Sequence, residues 1–183
     1  MPVEPTSIDG LLVVRWDTHE DERGFFRQTH RADELAAAIG REVVFRQANH
    51  ARSRPGVIRG FHAEPWDKLV YVAGGTVFAA VADLRPDSRT FARVETFWLG
   101  DPPGERIRLF VAEGLGNAYG VVGDREADYL YDVSEVWSPE ADKRAVAFDD
   151  PDLAVAWPVT APRLSPDDRA APTLRERFPG RTP

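Results

Sequence analysis

Cysteine is absent from the 183-residue chain, which excludes disulfides, thiolate nucleophiles and cysteine-ligated zinc. Long apolar runs are absent as well. None approaches the ~20 residues a membrane-spanning helix needs, and residues 1–10 carry neither a basic start nor an apolar segment. A cytoplasmic address is the expectation. Histidine is scarce: His19, His30, His50 and His62 are the full set, with no His-x-His pair and none after position 62. A metal site between β-strands usually takes two or three histidines plus a carboxylate converging from neighbouring strands, so no metal is expected. Lysine is scarcer still, with Lys68 and Lys143 the only two among 23 basic residues. Acidic residues outnumber basic ones to give a net charge of −7. That balance argues against nucleic acid or an anionic membrane as a partner, and leaves room only for a local basic pocket for a small anion.

What is present reads as one compact β domain spanning 1–183. Hydrophobic residues at 43% and charged residues at 29% are ordinary for a globular chain and leave little room for a disordered tract. Residues 11–15, 43–47, 69–73, 76–82, 91–98, 106–111, 129–133 and 144–148 are short runs rich in β-branched or aromatic residues, bounded by turn formers, and read as strands. Gly74-Gly75 between two of them signals a two-residue hairpin. Residues 32–39, rich in helix formers and closed by Gly40, form the one convincing helix. Repeated short strands with glycine and proline turns point to an all-β sandwich or barrel such as a jelly roll. From Pro158 onward the apolar content is too low for a second core, so this stretch is expected to pack as a tail.

The densest polar cluster runs from Gln47 to Lys68 and includes Asn49, Arg59, His62 and Glu64. In an extended strand residues two apart share a face, so Gln47 pairs with Asn49, and Gly56, Ile58, Gly60 and His62 point together; Arg59 and Phe61 face the other way unless a bulge intervenes. A lone strand histidine is more often structural than catalytic. His62 is distinguished by the amide, guanidinium and ammonium groups around it. Lys68 is distinguished by its type, because a compact ammonium suits a developing point charge where a planar guanidinium does not. Downstream, Tyr129 and Tyr131 share a strand face, and Trp137 closes the following turn. Core packing is expected for Tyr129 and Trp98 more than for Tyr131 and Trp137. The acidic turns at Asp149-Asp150-Pro151 and Ser165-Pro166-Asp167-Asp168 read, taken alone, as solvated loops.

Several strings taken together resemble the dTDP-4-dehydrorhamnose 3,5-epimerase family. They are Asp21-Glu22-Arg23-Gly24-Phe25-Phe26, Gln47-Ala48-Asn49, Gly56-Val57-Ile58-Arg59-Gly60-Phe61-His62, Lys68-Leu69-Val70, and Asp83-Leu84-Arg85 with Ser88 and Phe91. Asp150-Pro151-Asp152-Leu153, Trp157-Pro158 and Leu164-Ser165-Pro166-Asp167-Asp168 complete the set. The match keeps its order over nearly the whole chain. The resemblance implies a cupin-type jelly roll and a homodimer. It also implies inversion of carbons flanking the 4-keto group of a nucleotide-linked 6-deoxyhexose, with no cofactor. By position it implies His62 as base, Asp168 as its orienting carboxylate, Lys68 beside the developing enolate and Tyr131 as the phenol that reprotonates from the opposite face. Arg23 and Arg59 match substrate-contacting arginines, and Gln47 and Asn49 match polar contacts to the sugar. Tyr119 stands where the family usually has a second pocket histidine, Trp137 where a tyrosine is common, and Glu64 where a glutamine is typical; Tyr119 and Trp137 are expected to line the substrate pocket. The chemistry is coherent: loss of a proton beside a ketone puts negative charge on the carbonyl oxygen, and a waiting cation lowers that barrier. A ketoisomerase on a related sugar nucleotide, and a sugar-nucleotide binding module without turnover, remain open as alternatives.

Overall fold

The computed structural model describes residues 2–141 and 143–181. Six strands pair antiparallel in the order β1 (Val3–Pro5), β2 (Leu11–Val14), β10 (Arg108–Val111), β7 (Lys68–Gly74), β12 (Ala127–Val133) and β5 (Gln47–Ser53). Five more pair in the order β13 (Arg144–Ala145), β6 (Ile58–Ala63), β11 (Leu115–Val122), β8 (Thr76–Asp83) and β9 (Val94–Gly100). From β5 onward the chain alternates between the two sheets, except that β8 and β9 are neighbours in one. This is the expected cupin-type jelly roll. A separate two-stranded hairpin, β3 (His19–Asp21) with β4 (Gly24–Phe26), stands apart from both sheets.

Alternating side chains from the two sheets meet in the middle, as the period of two requires. Val70, Val72, Leu109 and Tyr129 from one sheet and Val77, Ala79, Val81 and Val121 from the other form the inner core. Each outer face is covered differently. Helix α1 (Ala32–Ile39), closed as expected by Gly40 in the left-handed region, lays Leu35 on the six-stranded sheet against Leu69 and Phe110. The expected tail covers the five-stranded sheet, where Leu153, Leu174 and Phe178 pack on Phe61, Ala80 and Ala118. Two short helices, α2 (Pro166–Arg169) and α3 (Leu174–Arg177), punctuate that tail. Among the described residues no helix is long and apolar enough to cross a membrane.

Several local expectations are corrected by packing. Residues 43–46 form no strand: Val43 and Phe45 bury against the α1 layer, and the ladder begins only where the Arg46 N–H reaches the Val133 carbonyl at 2.8 Å. Gly74-Gly75 is not a hairpin, because β7 and β8 lie in different sheets. It is a corner, in which Gly75 has φ +74° and a Cβ would sit 2.3 Å from the Glu126 carbonyl oxygen. The strand expected over 144–148 shortens to Arg144–Ala145, and the one expected from residue 91 begins at Val94 because Phe91 turns to meet Phe178 edge-on at 5.5 Å. Trp98 lies on the edge strand β9, 37% exposed, rather than in the core. Asp150 is no solvated turn residue either. It is buried and accepts the N–H groups of Asp152, Leu153 and Leu174 at 2.9, 3.0 and 2.7 Å, pinning the tail.

Candidate active site

Two adjoining cavities take lining residues from both sheets. The inner one, about 150 Å³, is lined from β6 and β11 by Arg59, His62, Asn117 and Tyr119, and from β7 and β12 by Lys68, Tyr129 and Tyr131. The outer one, about 570 Å³, is lined by Gln47, Asn49, Trp137, Lys143 and Asp167 among others. His62, Glu64 and Tyr131 line both, so they stand at the seam.

The presence of both Arg59 and His62 on one wall breaks the simple alternation of β6. Asn117 pairs with His62 and Tyr119 with Arg59, so three residue steps on β6 face two on β11, a β-bulge. Gly60 makes the bulge possible. It has φ +111°, and a Cβ there would lie 2.5 Å from the Asn117 carbonyl oxygen. The expected grouping of Ile58, Gly60 and His62 on one face is therefore replaced by Arg59 with His62.

At the seam, His62 Nε2 lies 2.6 Å from Asp168 Oδ1. Asp168 sits in α2, where Ser165 caps the helix. The Ser165 hydroxyl accepts the Asp168 N–H at 3.0 Å and donates to Oδ2 at 2.7 Å, and the Gly60 N–H donates to Oδ1 at 3.2 Å. Burial alone would push the Asp168 carboxyl up. The hydrogen bonds from His62, Ser165 and Gly60 and the nearby imidazole charge overcome that and bring it down to about 2. An ionised carboxylate accepts only, so Nε2 carries the hydrogen, and whenever the ring is neutral Nδ1 keeps the free lone pair. The His62 side chain is 43% exposed, so that lone pair is reachable.

Lys68, at the start of β7, reaches across the gap between sheets. Its Nζ donates to the His62 carbonyl at 3.3 Å and pairs with the Glu64 carboxylate. The short turn between them is fastened through Asp67. The Asp67 N–H donates to the Ser134 hydroxyl at 3.0 Å, and its carboxylate accepts Arg41 at 2.7 and 2.8 Å and the Glu113 N–H at 3.2 Å. Tyr131, on the sheet opposite His62, is held neutral: burial raises its phenol, and the Glu64 charge raises it further. Burial also raises Tyr119 and Tyr129, which stack at 3.9 Å between centroids. The Tyr119 hydroxyl and Ser53 Oγ are 3.0 Å apart, and Arg59 Nε donates to the same Ser53 Oγ at 3.1 Å. Gln47 donates to Asn49 at 2.7 Å and accepts the Trp137 N–H at 2.9 Å, placing the exposed Trp137 ring at the mouth with Lys143 4.4 Å above it.

Of the residues singled out in the sequence, the structure thus gathers His62, Asp168, Lys68, Tyr131, Arg59, Tyr119, Gln47, Asn49 and Trp137 around one opening. Arg23 is not gathered. It lies on the β3–β4 hairpin, 85% exposed in its side chain and paired with Asp21, beside the equally bare Phe25 and Phe26. The other histidines are elsewhere, His50 against Asp128 and His30 against Arg108. Ser165 and Ser53 received no role from the sequence. Ser165 was findable, because a serine three residues before an acidic residue is a helix-start signal; nothing marked Ser53.

Comparison with known proteins places the chain in a family. The sequence model of the dTDP-4-dehydrorhamnose 3,5-epimerase family matches residues 5–176. A dTDP-4-dehydrorhamnose 3,5-epimerase of Shigella flexneri is 34% identical over 92% of this chain and 93% of its own. A dTDP-4-dehydrorhamnose 3-epimerase of Streptomyces niveus is 36% identical over 96% of this chain and 85% of its own. Among solved structures, a 4-keto-6-deoxy sugar epimerase from the novobiocin gene cluster of Streptomyces spheroides superposes with a TM-score of 0.90 at 34% identity, covering 96% of this chain and 88% of that one. With the family model matched over residues 5–176, the chain belongs to the dTDP-4-dehydrorhamnose 3,5-epimerase family.

Proposed function

We propose that the protein epimerises a dTDP-linked 4-keto-6-deoxyhexose at C3, C5 or both, by deprotonation and reprotonation through an enolate and without a metal. The observation that carries the proposal is the His62–Asp168 pair facing Tyr131 across a sugar-sized cavity from the opposing sheet, with Lys68 on the wall of the same cavity. His62 Nδ1 takes the proton beside the ketone while Asp168 stabilises the imidazolium. The ammonium of Lys68 meets the negative charge arising on the 4-oxygen. Tyr131, kept as a neutral phenol by burial, returns a proton from the other side and inverts the carbon. Arg59, Tyr119, Gln47 and Asn49 hold the sugar, and Trp137 and Lys143 flank the larger outer cavity, where the nucleoside diphosphate fits. One jelly-roll domain carries all of this.

We further infer a homodimer. Arg23 lies outside the cavity of its own chain, on a hairpin that exposes Phe25 by 48% and Phe26 by 68%. A partner chain that covers these rings removes a solvent-exposed apolar patch and brings an arginine toward a diphosphate. Light scattering at twice the 20.4 kDa chain mass supports this; a monomer with full activity refutes it.

The decisive experiment is incubation with dTDP-4-keto-6-deoxyglucose in deuterated water, after dialysis against a strong chelator, read by NMR. Deuterium at C3 or C5 with the inverted configuration is expected. Exchange that appears only on addition of one divalent ion would overturn the metal-free proposal, and binding without exchange would make the protein a silent module.

A further inference from the structure

The ion pair between Lys68 and Glu64 has no place in the proton transfers described so far. Both side chains are nearly buried, 8% and 16% exposed, in a wall that substrate must cover. A carboxylate here works against the reaction by charge alone, since both the enolate oxygen and a tyrosinate at Tyr131 are anions; its effect on Tyr131 is to raise the phenol further. An ionised group kept in such a place is explained by what it does to Lys68.

An ammonium has three N–H donors. One points to the His62 carbonyl at 3.3 Å, near the end of β6; the Glu64 carboxylate, just beyond that strand, pairs with the same ammonium by charge, its Oε2 outside hydrogen-bond alignment. Among the described residues no other acceptor meets the ammonium, and Lys68 lines the inner cavity. The carbonyl and the carboxylate together confine the ammonium to that stretch of the wall, with N–H groups left for the cavity. We propose that Glu64 is the positioning residue of the oxyanion side: together with the His62 backbone it aims the free N–H of Lys68 at the oxygen that becomes negative. This rests on the assignment of Lys68 made above. A preorganised donor needs no reorientation as charge develops, whereas a four-carbon side chain left loose must be ordered at that moment.

The test measures the rate of deuterium exchange into substrate, with dTDP affinity by calorimetry as the control for folding. Glu64→Gln keeps an acceptor for Lys68 and is expected to hold exchange within about fivefold of native. Glu64→Ala, or Glu64→Leu where the alanine variant fails to bind dTDP, removes the acceptor and is expected to slow exchange about tenfold or more with dTDP affinity unchanged. In a Lys68→Ala background the same truncation is expected to add less than about twofold, because a residue acting through Lys68 has nothing left to act on. An equal loss in both backgrounds would mean a merely structural role and overturn the proposal. So would a Glu64→Gln variant as slow as Glu64→Ala, or a truncation with native exchange. If Lys68→Ala itself exchanges at the native rate, the assignment of Lys68 fails; if Lys68→Ala is slow and Glu64→Ala is native, only the positioning role fails.

Discussion

The proposed base side and the proposed oxyanion side of this cavity are built on the same plan with opposite consequences. Each reacting group has its own carboxylate, Asp168 for His62 and Glu64 for Lys68. On the base side the carboxylate comes from far away in sequence, on a capped turn of the tail, and is itself tied by Ser165 and Gly60. Its charge assists the chemistry, because the imidazolium formed by proton removal is what it stabilises. On the oxyanion side the carboxylate is four residues from its lysine, across a turn fastened by Asp67. Its charge opposes the anion the reaction makes, so it contributes only by orientation. On this proposal one carboxylate stabilises a charge that appears during the reaction, and the other arranges a charge that is there before it.

If that contrast holds, the largest loss comes from the base side. His62→Ala is expected to slow both deuterium exchange and inversion by about 10² to 10⁴-fold with dTDP affinity little changed, as loss of a general base typically does. Asp168→Asn should fall in the same range, since an amide can present its N–H₂ to Nε2 and leave the wrong nitrogen protonated. Steady-state NMR assays with calorimetric dTDP titrations check both. A folded His62→Ala enzyme at native rate removes the base assignment.

A smaller and more selective effect is expected across the cavity. If His62 and Tyr131 act from opposing sheets on one ring, Tyr131→Phe still forms the enolate but cannot return a proton from its side. Exchange should persist within about tenfold while inverted product falls by about 10²-fold or more. Normal inversion in Tyr131→Phe, or exchange as poor as in His62→Ala, would make Tyr131 a packing residue.

How much of this was legible in the sequence follows from the range of each interaction. The helix over 32–39 and its Gly40 stop were readable because propensity and capping are local. His62, Lys68 and Asp168 were singled out through the family strings and Tyr131 by its position in the resemblance, although Asp168 read alone as a solvated loop; its contact with His62 depends on a tail crossing more than 100 residues of sequence to reach β6. The placement of Arg59 beside His62 was not readable, because it hangs on a bulge that only the approach of Gly60 to β11 enforces. The Gly74-Gly75 corner failed for the same reason, since a hairpin and a change of sheet share the same local signal. Apolar residues at 43 and 45 looked like a strand because burial, not pairing, selected them. Glu64 was visible as a departure from the family pattern, but its tie to Lys68 is a contact across a turn.

The subtlest expected effect concerns stability, on the base side. Asp168 is held at about 2 in the folded protein against an ordinary value of 3.8. A carboxyl depressed on folding stabilises the native state above its unfolded value, and that contribution is lost as pH falls toward the folded value. For Asp168 the window is therefore about pH 4 down to about pH 2. The full contribution is about 2 kcal/mol, with roughly half gone near pH 3. Urea unfolding of native protein and Asp168→Asn at pH 6 and pH 3 isolates this term, because the variant lacks the titrating group. The native protein should lose about 1 kcal/mol more than the variant over that interval. Were the Asp168 variant to lose as much stability as native protein between those two pH values, the carboxylate behind His62 would not be held ionised by its partners, and the tautomer argument that places the free lone pair on Nδ1 would fall with it.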